Sequence, residues 1–444
     1  MNSVVVGLGK TGASCLRYLA KRGGRVSATD SRRAPPGLDE LGEFAGNIEL
    51  RLGGFDLSLL EDANQVLMSP GVSLKEPIAL AARERGIPVL GDVELFAREV
   101  RAPVLGITGT NGKSTVTTLV ARMAAAAGRR VLAGGNLGEP ALDLLEQPTP
   151  ELYVLELSSF QLETTTSLTL AAAAVLNVTA DHLDRYGSLA EYAHAKERIF
   201  ARAGTIVLNA DDKLVMTMGE RYRRSARLVR FSIEREDCEF TLAQEGARFF
   251  LARRGERLLD VSRLKISGLH NAANALASLA LGDAVGLPME AMLSALESFP
   301  GLSHRSAWVA DIEGVRYVDD SKGTNVGATI AAVAGMAGPL VMIAGGEGKG
   351  QDFSPLIPAF RGKVRHTVLI GKDAPALATV LQGVCSTETV SSMSEAVTAA
   401  RRAARSGDTV LLSPACASLD MFRDYGHRGD VFAAAVSALK EVSA

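Results

Sequence analysis

Cysteine is scarce in this chain. Among 444 residues there are four, Cys15, Cys238, Cys385 and Cys416, and no two are close in sequence. That spacing excludes a disulfide scaffold and a cysteine-based metal framework, and it fits a reducing, cytoplasmic setting. Long apolar runs are missing too. None reaches the roughly 18 residues that a spanning helix needs, and the chain enters a strand-like Ser3–Val6 without the charged and apolar regions of a secretory leader. Charge of one sign is also absent: 48 basic against 50 acidic residues leave a net charge of −2. With no basic stripe, nucleic acid is not an expected partner, and an anionic ligand has to be held by local charge. Lysine itself is rare, 12 against 36 arginines, which singles out each lysine standing in a glycine-rich stretch.

What is present is apolar sequence, 47% of the chain, arranged as alternating strand-like and helix-like runs. The length exceeds one ordinary domain, and the alternation predicts α/β domains with largely parallel sheets. Three segments each open on a strand, with boundaries expected at 1–91, 92–299 and 300–444. Between about 228 and 266 the pattern shifts to short β-like pieces such as Phe249–Leu251, which predicts a small β insertion in the second segment. The first and third segments read as Rossmann-like.

The most informative stretch is Thr108-Gly109-Thr110-Asn111-Gly112-Lys113-Ser114-Thr115. It lies between a predicted strand, Val104–Ile107, and a predicted helix, Val116–Ala127. A tight glycine turn there bares backbone N–H groups at a helix N-terminus, which is an anion site. Lys113 adds a cation, and Ser114 or Thr115 offers a hydroxyl to Mg²⁺. The general P-loop spacing is not met, because Ile107 stands where its first glycine belongs; the stretch is a variant.

Gly7-Leu8-Gly9-Lys10-Thr11-Gly12, before a predicted helix from about Ala13 to Arg22, with Asp30 after a second strand, Arg25–Thr29, matches the dinucleotide-type unit. It fits NAD, another nucleotide ligand, or packing alone. Asp30 can accept a hydroxyl or base N–H, and Ser31 and Arg32 can hold phosphate. Glu156 ends an apolar strand beside the P-loop variant, where a Mg²⁺-binding acid is expected, although a strand-end Glu can equally be solvated. His182 follows another strand and is expected at the same sheet edge, near Glu156 and Lys113, able to bind metal, orient a ligand or move protons. Lys196, by periodicity alone, is a helix-surface lysine. Asn271 and Asn274 are one helical turn apart and can face a nucleotide or cap the helix. In the third segment Arg305 suits a phosphate and Lys349 an anion, with Asp320 and Ser413–Tyr425 at predicted strand ends.

Taken together, T-G-T-N-G-K-S-T, E-L-S-S-F-Q-L-E, N-V-T-x-D-H-L-D, E-Y-x-x-x-K-x-R-I-F, G-x-H-N-x-x-N, H-R, D-S-K-G-T-N, G-G-x-x-K-G and L-S-P-A-C-A-S-L-D-M-F resemble the Mur ligases, ATP-dependent amide ligases of peptidoglycan assembly. The motifs occur in family order along essentially the whole chain. The last of them, with Ser69-Pro70-Gly71, resembles the branch that adds D-glutamate. The resemblance implies a UDP-substrate domain (1–91), an ATP domain (92–299) and an amino-acid domain (300–444). It implies that Lys10, Thr11, Asp30, Ser31, Arg32, Gly71, Asn136 and His182 meet UDP-N-acetylmuramoyl-L-alanine. ATP would meet Gly109, Thr110, Asn111, Gly112, Lys113, Ser114, Thr115, Asn271, Arg305 and Asp320. Thr324, Lys349, Ser418, Leu419 and Tyr425 would meet D-glutamate; Tyr425 stands where Phe is expected. Two Mg²⁺ ions would be held by Ser114, Glu156, His182 and a carbamylated Lys196. Lys113, Glu156, His182 and Lys196 would be the catalytic set, in a monomer. The alternatives are a ligase of the same superfamily with another acceptor, and an NAD-dependent oxidoreductase or nucleotide-binding regulator.

Overall fold

A computed structural model describes residues 2–442 apart from Ser267 and Ala337. The chain divides into two compact units: 1–178, 192–259 and 274–296 form the first, and 179–191, 260–273 and 297–444 the second.

The first unit contains two sheets. The N-terminal sheet has strands β1 (Asn2–Val6), β2 (Arg25–Asp30), β3 (Glu49–Leu52), β4 (Gln65–Met68) and β5 (Val89–Leu90), in the order β3-β2-β1-β4-β5. All pairings are parallel, as the Rossmann-like expectation requires. Val4, Val6, Val66 and Met68 bury one face of it against Ile78, Ala79 and Ala82.

The larger sheet comprises β6 (Val104–Thr108), β7 (Val131–Gly135), β8 (Leu152–Glu156), β9 (Leu170–Val175), β10 (Ala203–Asn209), β11 (Arg227–Ser232), β12 (Phe240–Glu245), β13 (Arg248–Arg253) and β14 (Glu256–Asp260). Its order is β14-β13-β12-β11-β10-β9-β6-β8-β7. The expected β insertion is therefore not a separate body. Strand β11 joins β10 in parallel, and the β12–β13 hairpin continues the same ladder. Strands buried on both faces read as unbroken apolar runs, as in Leu152–Leu155 and Ala172–Val175. Register places Glu156 opposite both Ile107 and Gly135, so β6, β7 and β8 end together at one edge.

The second unit holds β15 (Ala307–Ile312), β16 (Val315–Asp319), β17 (Leu340–Gly345), β18 (Val364–Ile370), β19 (Ser386–Thr389) and β20 (Thr409–Leu412), ordered β15-β16-β20-β17-β18-β19. An antiparallel β15–β16 hairpin edges an otherwise parallel sheet. Alternate residues serve opposite cores: Val341 and Ile343 pack with Val397 and Phe432, while Leu340 and Met342 pack with Leu356 and Phe360.

Candidate active site

Both glycine-rich turns overlap the helices that follow them more than the apolar pattern predicts. The helix after the first turn begins at Lys10, with Gly9 as N-cap. The helix after the second begins at Lys113, with Gly112 as a left-handed N-cap (φ 85°, ψ −17°). Apolar periodicity starts late because the first turn of each helix is made of polar and small residues. Gly112 accepts no side chain: a Cβ would lie 2.4 Å from Asn274 Oδ1. Asn177 pins the P-loop variant from β9's end, accepting from Thr110 N (2.9 Å) and Asn111 N (2.8 Å).

Two lysines converge on this loop. Lys113 Nζ donates to Gly109 O and Thr110 O, both at 2.9 Å. Lys196 Nζ donates to the same Gly109 O at 3.0 Å and lies 4.3 Å from the centre of the Tyr192 ring. Lys196 is 1% exposed, which overturns the helix-surface reading: its helix, Leu189–Glu197, is packed rather than amphipathic on that side. Glu156 is buried at the neighbouring strand end. Its Oε1 accepts from Asn136 Nδ2 at 2.7 Å, and its Oε2 is buried without a hydrogen-bond partner. The solvated strand-end reading is thus excluded. Ser114 and Thr115 are buried on the first turn of the helix.

Lys10, Thr11, Asp30, Ser31, Arg32, Gly71 and Asn136 line a single cavity of about 470 Å³, with Gln161 on its central-segment side. Asp30 differs from its expected role. Its Oδ2 accepts from Leu8 N (2.6 Å) and Arg32 Nη2 (2.7 Å), and its Oδ1 from Arg32 N (2.8 Å) and Nε (2.9 Å). Burial alone would raise this carboxyl, but the Arg32 and Leu8 donors hold it below the ordinary aspartate value. Protein donors fill the acceptor sites that a ribose or base would use, and two of them fix the Arg32 guanidinium.

The second unit carries the other expected residues. Asp320 is buried; Ser306 N donates to Oδ1 (3.0 Å) and Ser413 Oγ to Oδ2 (2.8 Å). Burial pushes its carboxyl up to about 7, against these bonds and the pull of Arg305. His304 Nδ1 meets Asp319 Oδ2 at 2.7 Å. Lys349 pairs with Asp181 at 3.2 Å, and Asn325 Nδ2 donates to the same carboxylate at 3.2 Å. His182 donates its backbone N–H to the Asp181 carboxylate at 2.9 Å. The Lys322 amine sits 3.6 Å over the Tyr425 ring. Asn271 lies in the first turn of the helix Leu269–Ala284, not at its cap. Thr324 is half-buried, Ser418 buried and Leu419 exposed. Left-handed backbone at His182, His304, Ser306, Lys349 and Ala415 marks these loops as strained.

Arg428 was not foreseen. It is fully buried and donates to Ser321 Oγ (2.9 Å), Ser321 O (2.7 Å) and Cys416 O (3.1 Å). Burial lowers it to about 10. It ties the D-S-K-G-T-N turn to the S-P-A-C-A-S loop. An Arg within an otherwise helical stretch carries no sequence signal for this, and neither does Gln161 or Asp181.

Comparison with known proteins matches residues 1–91 to the Mur ligase MurD-like N-terminal domain, 107–282 to the Mur ligase middle domain and 304–416 to the Mur ligase glutamate ligase domain. A relative from Nitrosococcus oceani, named UDP-N-acetylmuramoylalanine–D-glutamate ligase, is 55% identical over 436 residues, 98% of this chain and 96% of its own. One from Pseudomonas aeruginosa with the same name is 48% identical over 441 residues, 98% of each chain. The chain belongs to the Mur ligase family. This Mur ligase shares its fold with UDP-N-acetylmuramate–alanine ligase from Thermotoga maritima, at TM-score 0.64 and 21% identity over 100% of both chains. A pseudomurein peptide ligase type C from Methanothermus fervidus gives 0.62 and 19% over 99% of each. The three-domain α/β expectation stands, and so does the class of reaction: a Mur ligase is an ATP-dependent amide ligase. Among the described residues no helix is long and apolar enough to cross a membrane.

Proposed function

We propose that this Mur ligase joins D-glutamate to UDP-N-acetylmuramoyl-L-alanine in the cytoplasm, as a monomer, with cleavage of ATP to ADP and phosphate. The convergence of Lys113, Lys196 and Glu156 at one strand edge carries the reading. Residues 1–91 hold the UDP moiety, 92–299 hold ATP and 300–444 hold the amino acid. The relatives' shared name supports the choice of both substrates. NAD is disfavoured, because the Asp30 carboxylate is already saturated by protein donors.

A carboxylate is a poor acyl donor because oxide would have to leave. Its oxygen attacks the γ-phosphate of ATP, ADP departs, and an acyl phosphate forms. The amine of D-glutamate then adds to the acyl carbon, phosphate leaves, and the amine sheds a proton. Lys113 and the backbone N–H groups of Gly109–Thr115 hold the phosphates and offset charge gathering on them. Asn271, Arg305 and Asp320 complete the ATP contacts. Lys10, Thr11, Ser31, Arg32, Gly71, Asn136 and His182 orient the UDP-substrate, with Asp30 holding Arg32. Thr324, Lys349, Ser418, Leu419 and Tyr425 take the amino acid. An anionic acceptor would reach Lys349 by displacing the Asp181 carboxylate that it holds.

The donors suit Mg²⁺. Glu156 Oε2 is a buried oxygen with no partner, and hard oxygen donors are what Mg²⁺ selects. Glu156, Ser114, His182 and a carbamate on Lys196 would hold two ions, which when bound neutralise phosphate charge. Two ammonium groups on one carbonyl, as at Gly109, repel each other; a carbamate at Lys196 turns that repulsion into attraction. Among the described residues no three His, Cys, Asp or Glu side chains cluster to bind metal by themselves, so a carbamate oxygen would supply what the side chains lack. Lys196→Ala should lose most activity, and added acetate should restore part of it. Full activity in that variant overturns the carbamate.

Phosphate release at saturating ATP and UDP-substrate tests the acceptor. D-Glutamate should support turnover, whereas L-lysine would leave buried donors unpaired, a loss on the order of 1000-fold. Comparable rates with L-lysine or L-glutamate would assign the chain to another branch.

A further inference from the structure

We propose that Asp92 is a positioning residue for the UDP-substrate, holding the side-chain amide of Gln161 so that one of its N–H groups is turned to the substrate cavity. This rests on the cavity reading given above.

Asp92 opens the helix Asp92–Glu99 at the junction between the first and second segments. It is 1% exposed. Its Oδ2 accepts from Gln161 Nε2 at 3.3 Å, and its Oδ1 is buried without a partner. The junction is pressed against the turn that ends the helix Ser159–Glu163. A Cβ on Gly91 would lie 2.3 Å from Thr164 Oγ1, and Glu94 accepts from Thr166 N (2.7 Å) and Ser167 N (2.9 Å).

Gln161 has two acceptor sites on its oxygen and two N–H groups. Ser158 N (3.1 Å) and Ser158 Oγ (3.2 Å) donate to the oxygen. One N–H goes to Asp92, and the other remains for the cavity that Gln161 lines. Ser158 decides which end of the amide is oxygen, and Asp92 sets the plane in which its N–H groups lie. The ligand class is an oxygen acceptor of a nucleotide sugar.

Folding does not favour a carboxyl here. The Cys15 thiol and the Asp143 carboxylate, the latter held by Ser14 and Arg17, lie within electrostatic reach of Asp92 and add no donor to it. Burial lifts the Asp92 carboxyl to about 6, against a hydrogen bond from Val93 N and the one from Gln161. A buried acid with one orphan oxygen is costly compared with an apolar residue of similar volume. A purely structural role, as an acid at a helix N-terminus, predicts lost stability on removal; a positioning role does not.

The test uses the whole chain with Asp92→Leu, Asp92→Ala and Asp92→Asn, alone and in a Gln161→Ala background. Melting is followed together with steady-state phosphate release and calorimetric titration of the UDP-substrate. Asp92→Leu should raise the UDP-substrate KM about tenfold, while kcat and the ATP KM stay within about twofold and Tm is unchanged or higher. Asp92→Asn keeps an acceptor and should stay close to wild type. In the Gln161→Ala background Asp92→Leu should add nothing. An unchanged UDP-substrate KM, an equal rise in the ATP KM, or a full second effect in the Gln161→Ala background overturns the proposal. So does failure of both Asp92→Leu and Asp92→Ala to fold, which would make the carboxyl structural. Absence of heat with the wild-type protein would instead overturn the cavity reading itself.

Discussion

The turns Gly7–Gly12 and Thr108–Ser114 are the same device, a parallel strand entering a helix through glycines, put to two uses. In the first, Lys10 turns its amine away to Gly138 O at 2.8 Å, linking two segments of the chain. In the second, Lys113 folds its amine back over the loop to Gly109 O and Thr110 O. The accompanying acids differ in the same sense. Asp30 is saturated by protein donors, whereas Glu156 keeps one buried oxygen unpartnered. On the function proposed above, the first turn only grips a diphosphate and can let its neighbours serve structure. The second, where phosphate would be transferred, has to keep its cation and its oxygen donor for the reaction.

The contrast is broken most directly at Lys113. Lys113→Ala should lower phosphate release by about 100-fold or more, near 3 kcal/mol in the barrier, and leave calorimetric binding of the UDP-substrate nearly intact. More than a tenth of the activity surviving would remove the distinction between the turns.

The glycines of the first turn separate packing from binding. A Cβ at Gly12 would lie 2.0 Å from Gly7 O and 2.9 Å from Ser69 Oγ, both held in place by the Ser69–Gly7 hydrogen bond. Gly12→Ala should cost about 3 kcal/mol of stability and lower Tm. At Gly9 a Cβ meets nothing within 4 Å, and φ is −87°. Gly9→Ala should melt like wild type yet raise the UDP-substrate KM about tenfold, because the methyl enters the space a diphosphate needs. Equal melting of the two variants would show that the glycines share one role.

Asp30→Asn gives a smaller effect with a defined pH sign. The Asp30 carboxyl is held below its unfolded value, so its contribution is present above about pH 4 and is lost as pH falls through the folded value. The variant should be less stable at pH 7 by about 2 kcal/mol, with the gap closing in acid; a gap independent of pH would contradict the Arg32 pairing. Lys10→Ala should have the smallest effect on stability, a loss of about 1 kcal/mol, with kcat unchanged and the UDP-substrate KM raised. A large fall in kcat would make Lys10 a second Lys113.

Local chemistry, and with it much of the site, was legible in the linear chain. Glycine spacing, strand-like runs and polar residues at their ends follow from backbone sterics and burial over a few residues, and these act the same way in any context. They located both turns, Glu156 at its strand tip, and the alternation that makes three α/β domains. They missed the starts of the helices at Lys10 and Lys113, because a first helical turn of polar and small residues has no apolar period. They placed Lys196 on a surface, because periodicity measures only which face a helix buries in general; three-dimensional packing brought its amine to Gly109 O, 87 positions away along the chain. The short strands at 227–260 became a continuation of the large sheet because the open edge of β10 offered unpaired backbone groups to β11. Which carboxylates were saturated and which kept a buried oxygen was likewise settled only by tertiary structure. The sequence by itself determined which groups this protein has for binding phosphate and forming an amide. Long-range packing decided their exposure, their hydrogen-bond partners and therefore their charge, since desolvation and partner geometry depend on residues far apart in the chain.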